Sequence, residues 1–78
     1  MARPFRDGDT GMDVLSSDGE KIGTVQEVHG DTVHVKPEHG IADSIRQRLG
    51  WEDESEDMYA LSHDRVRQFS GNEIHLKD

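Results

Sequence analysis

The chain has 78 residues, 31% of them hydrophobic, with 17 acidic against 9 basic side chains, no cysteine and a formal net charge of −8. These numbers exclude disulfide stapling, allow one small domain with a thin core, and give a surface that repels nucleic-acid backbones and anionic membranes. Three lysines beside ten aspartates and seven glutamates form the surface expected of a cytoplasmic protein from a salt-loving organism, where strong salt screens the mutual repulsion. No stretch approaches the ~18 consecutive apolar residues of a membrane span, and no apolar run of a signal peptide is present.

Residues 1–10 lack periodicity, carry proline, glycine and mixed charge, and read as a flexible N-terminal tail preceding a single domain over 11–78. "MDVLSS" is a short first strand, closed by the Asp18-Gly19 turn of "SDGE". "KIGTVQEV" and "TVHVKP" follow as the second and third strands about a tight turn at Gly30-Asp31, with Val33 and Val35 inward and His34 and Lys36 outward.

In the second strand Ile22, Val25 and Val28 recur every three positions, a spacing that suits neither a strand nor a helix. A β-bulge between Ile22 and Val28 reconciles the pattern by resetting the alternation, and Gly23 leaves room for a bend or for the close approach of another strand. A bent, bulged strand curls a small sheet toward closure, so the expected fold is a little all-β barrel and not an open sheet.

After Pro37, "IADSIRQRLG" places Ile41, Ile45 and Leu49 at a spacing of four, predicting one short helix at about 41–49 with Gly50 as its C-cap. "WEDESED" is a polar loop and "MYALS" a fourth strand. "SHDR" is a single helical turn capped by Ser62. "VRQF" and "EIHLK" make a last hairpin about Ser70-Gly71-Asn72.

Candidate chemistry is sparse. His29, His34 and His39 stand five apart. In the hairpin register Glu27 lies opposite His34 and His29 opposite Thr32, which gives a surface pair with no third ligand, so no metal site is expected. The carboxylates of residues 52–57 are read as solvated charge, and "DGDTGMD" mimics a calcium loop but has Met12 where an EF-hand needs glycine and lacks the two flanking helices. Ser62, His63 and Asp64 are neighbours in sequence, a placement that cannot give triad geometry. No catalytic residue and no cofactor is expected. The residues that point to function are apolar ones in unusual places. Trp51, Met58, Tyr59 and Phe69, with Phe5 in the tail, are the candidates for a dimer or partner interface, since aromatics and methionine concentrate in interface cores.

"GMDVLSSDGEKIGTVQEVHGDTVHV", with its Asp-Gly turn followed by Ile-Gly-x-Val, resembles the opening of a PRC-barrel domain, and "YALSHDRV…EIHLK" its closing half. With the length and acidity, the chain looks most similar to the small stand-alone PRC-barrel proteins of haloarchaea. The segment 38–57 is long for a minimal domain of that kind. The resemblance implies a small all-β barrel of about six strands without enzymatic activity, an adaptor that docks onto other proteins of archaeal cell division; the thin core and the exposed edges of so small a barrel add the expectation of a homodimer. A ribosome-assembly role, binding a basic ribosomal protein, is the alternative that another branch of the family implies.

Overall fold

A computed structural model describes residues 3–51 and 57–77. Six strands form one sheet: β1 (Asp13–Leu15), β2 (Lys21–His29), β3 (Thr32–Pro37), β4 (Tyr59–Ser62), β5 (Val66–Ser70) and β6 (Glu73–Leu76). Their spatial order is β4-β3-β2-β1-β6-β5. The pairings are antiparallel except for β1 with β6, which is parallel, so the sheet is mixed.

Chain connectivity forces the sheet to curl. The two outermost strands, β4 and β5, are joined by a single 3-10 turn over His63–Arg65. In a flat sheet, five inter-strand spacings would put them about 24 Å apart. The four steps from Ser62 to Val66 reach at most about 14 Å when fully extended. The result is an open half-barrel whose edges are bridged by the turn. The Ser62 hydroxyl caps that turn by accepting from the Asp64 N–H at 3.3 Å, as its sequence signalled.

The expected bulge in β2 is present, and there are two. Opposite β1, Val14 pairs with Gly23 and Leu15 with Lys21, which leaves Ile22 as an extra residue. Opposite β3, Val25 pairs with Val35 and Glu27 with His34, which leaves Gln26 extra. Each bulge resets the alternation once. Ile22 and Val25 are therefore both buried, and Val28 packs against the same cluster. Gly23 is required here: a Cβ on it would lie 2.5 Å from Val35 Cγ1 and 2.7 Å from the Lys36 carbonyl oxygen.

The concave side holds the core, with Val14, Val33, Val35, Ile74 and Leu76 fully buried. Helix α1 (Asp43–Leu49) adds Ile45 and Leu49, and Ile41 before it joins them. Gly50 ends the helix in the left-handed region at φ 75°, and the Trp51 N–H donates to the Arg46 carbonyl at 2.8 Å.

Residues 3–10 do not extend from the barrel as the tail that composition indicated. They contain a 3-10 turn (Asp7–Asp9), and Phe5 is buried in the core cluster. The cause is a set of contacts invisible in a periodicity pattern. Phe5 packs edge-on against His63 and Phe69, with ring centroids 5.1 and 5.9 Å away. The Arg3 guanidinium lies 4.0 Å from the Phe69 ring centre and donates two hydrogen bonds, at 3.0 and 2.8 Å, to the buried Asp9 carboxylate. The Arg6 N–H donates a third, at 2.8 Å. These donors, the Arg3 pair foremost, hold the Asp9 carboxyl below its ordinary range. Asp9 is thus a clasp for the segment, its two oxygens engaged by Arg3 and the Arg6 N–H and buried rather than solvated.

Candidate functional site

The outward face of the β2–β3 hairpin gathers three side chains with metal-binding chemistry. Bulging at Gln26 is what places them there. Without it, strict alternation from the inward Val25 would turn Glu27 and His29 into the core. With it, Gln26, Glu27 and His29 are all exposed. His34, between the buried Val33 and Val35, projects from β3 on the same face. Gly30 takes φ 60° as the first of the two turn residues, the position at which a hairpin loop of this length demands glycine.

The register anticipated from the turn is observed: Glu27 pairs with His34, and His29 with Thr32. The expectation that this pair has no third ligand is corrected. His29 lies two residues from Glu27 on the same face, and its Nε2 donates to Glu27 Oε2 at 2.9 Å. His34 Nδ1 is 3.6 Å from that same oxygen, and the two imidazole centroids are 4.7 Å apart. One ligand atom from each of the three lies within 4.8 Å of the others. The Glu27 carboxyl is held below its ordinary range, first by the His29 hydrogen bond and then by the charges of the two imidazoles. The missed signal was parity. Two rows of the hairpin separated by one inward-facing row, Val28 and Val33, present their side chains on one face, so Glu-x-His on β2 and His34 on β3 had to meet.

The apolar interface candidates fare differently. Trp51 is 2% exposed and stacks on Tyr59 at 5.1 Å with 9° between the rings. Its indole N–H finds no hydrogen-bond partner among the described residues. Tyr59 is 7% exposed and its hydroxyl accepts from Arg46 Nη2 at 3.1 Å. These two rings and Phe5 belong to the chain's own core and not to an open interface. A domain with so few apolar residues uses its aromatics internally. Phe69 is half-buried beneath Arg3 and Phe5. Met58 stands apart: at 37% exposure it is the exposed large hydrophobic side chain of the described residues, placed where the chain enters β4. The acidic run read as solvated charge lies mostly at 52–56, outside the described residues.

A groove of about 350 Å³ opens between the end of β3 and α1, lined by Lys36, Glu38, His39, Arg46 and Tyr59 among others. No helix among the described residues is long and apolar enough to cross a membrane.

The chain belongs to a family of unknown function, DUF8593, whose pattern matches residues 5–76. No curated protein and no solved structure matches it. The family match includes Phe5, in keeping with the N-terminal segment being part of the domain.

Proposed function

We propose that this chain is a non-catalytic adaptor domain that binds other proteins by strand addition at β4, with a second copy of itself as one such partner. One observation carries this reading: among the described residues β4 has a single strand neighbour, β3, and its sequence Tyr-Ala-Leu-Ser contains neither a charge nor a bulge. Such an edge is a template for another strand unless it is blunted. Ala60 and Ser62 are exposed along it, and Met58 offers an apolar contact at its start. Two copies meeting antiparallel across a two-fold axis would satisfy both edges with one self-complementary surface. A four-residue edge with one methionine buries little area, so the association is concentration-dependent and not obligate.

The resemblance to PRC-barrel domains supports the same reading and makes the division machinery of a salt-loving archaeon the class of partner. Sedimentation analysis in molar salt tests it. The wild-type chain is expected to shift from monomer to dimer with rising concentration, and Met58→Lys combined with Ala60→Lys should weaken that dimer at least tenfold while the circular dichroism spectrum is retained. A chain that stays monomeric at high concentration, or a dimer indifferent to both lysines, would overturn the β4 interface.

A further inference from the structure

We infer that Glu27, His29 and His34 form a divalent metal site, selective for zinc-like ions, on the outer face of the β2–β3 hairpin. The inference stands apart from the adaptor reading: it concerns a different surface and holds in the monomer.

Three features carry it. First, the donor set is two imidazoles and one carboxylate, which suits zinc and its neighbours and not calcium or magnesium, whose sites are built from oxygen alone. Second, the spacing is near that of a coordinated set. Ligand atoms on a tetrahedral zinc with bonds of 2.0–2.1 Å lie about 3.3 Å apart. Here the Glu27 oxygen is 2.9 Å from His29 Nε2 and 3.6 Å from His34 Nδ1, and all three ligand atoms lie within 4.8 Å of one another, so the two imidazoles have at most about 1.5 Å to close between them. Third, the backbone beneath the site is fixed. Both strands are in register through a two-residue turn, and the Gln26 bulge that exposes Glu27 is locked between the buried Val25 and the core-packed Val28.

Binding replaces the proton that His29 Nε2 now shares with Glu27, and the metal takes over as the bridge between the two. The fourth position faces solvent, because Glu27 and His29 are both exposed. An ion here would pin the free end of the hairpin to itself across the strands. A second Glu-x-His pair, Glu73 and His75 on β6, supplies an internal control: His75 Nε2 lies 3.2 Å from Glu73, yet the described residues bring no third ligand to it.

Isothermal titration of the full chain with zinc chloride tests the inference. One equivalent should bind saturably to the wild-type chain. His29→Ala and His34→Ala should each weaken binding at least tenfold, and Glu27→Gln should weaken it measurably. His75→Ala should leave it unchanged. Because the three residues lie on the surface, the variants are expected to keep the wild-type circular dichroism spectrum. As a second readout, zinc should raise the thermal midpoint of the wild-type chain and not that of the His29→Ala/His34→Ala double variant. Absence of saturable binding, or binding unchanged in that double variant, would overturn the inference.

Discussion

The two edges of the half-barrel are managed differently. β5 carries Arg67 as a bulged residue, and its Phe69 is covered by Phe5 and by the Arg3 guanidinium. β4 has no charge and no bulge, and on its inner side Tyr59 stacks on Trp51. Bulges and charges are the usual means of keeping an edge from pairing, and among the described residues β5 carries both whereas β4 carries neither. The N-terminal segment is therefore part of edge management. It closes one side of the sheet with residues that composition alone would assign to a mobile terminus.

The largest effects should come from the aromatic residue anchoring each edge. Trp51→Ala removes the ring beneath β4, and Phe5→Ala the ring beside β5. Truncating a buried aromatic costs about 3–5 kcal/mol, with the fully buried Trp51 at the upper end and the more peripheral Phe5 at the lower. Urea denaturation should show both losses. If Phe5→Ala is nearly neutral, the N-terminal segment is not a working part of the β5 edge and the contrast fails. A dimer lost in Trp51→Ala would report a lost fold before a lost interface, since the side chain is internal.

A smaller effect separates the clasp from the ring it holds. The Asp9 carboxyl titrates below its ordinary range because Arg3 and the Arg6 N–H favour its charged form. A group whose folded pKa is depressed contributes stability above its unfolded pKa, near 3.9, and loses it as pH falls through the folded value. Asp9→Asn should cost about 1–3 kcal/mol near neutral pH, by leaving the Arg3 donors with a weaker acceptor. The gap between wild type and variant should close as pH falls below the normal carboxylate range. Denaturation measured from pH 7 down to acid checks both points, and a gap independent of pH would mean that the charge on Asp9 does not hold the segment.

Much of this architecture is legible in the sequence because it rests on local signals. The Asp18-Gly19 and Gly30-Asp31 turns, the Ile41/Ile45/Leu49 spacing with Gly50, and the Ser62 cap each state their geometry within a few residues. The period-three pattern of β2 indicated a bulge, but counting bulges needs both neighbouring strands, and the two lie on different sides of β2. What stayed hidden depends on contacts between distant segments. The parallel β1–β6 pair, the docking of Phe5 against His63 and Phe69, and the stacking of Trp51 on Tyr59 leave no periodic trace. The Glu27, His29 and His34 cluster falls between these cases. Its register was readable from the turn, and its third member followed from face parity, once Glu27 and His29 are seen to straddle a single inward residue.

The smallest expected effect is the sharpest test of the contrast between edges. Gln68 on β5 is exposed and pairs with His75, a position comparable to that of Ala60, which is exposed on β4 and pairs with His34. A lysine at either position puts the same charge and the same long side chain on an edge strand. At β4 it should oppose strand addition. At β5, where the neighbouring bulge and Arg67 already oppose it, the added charge removes nothing. Gln68→Lys is therefore expected to leave self-association unchanged and stability within about 0.5 kcal/mol of wild type, as for a surface change away from any cap, cavity or network. Sedimentation of Gln68→Lys beside Ala60→Lys in the same salt makes the comparison direct. If the β5 lysine is the one that abolishes the dimer, the charge and bulge on β5 do not protect it, and the open edge of this fold is the one that the N-terminal segment adjoins.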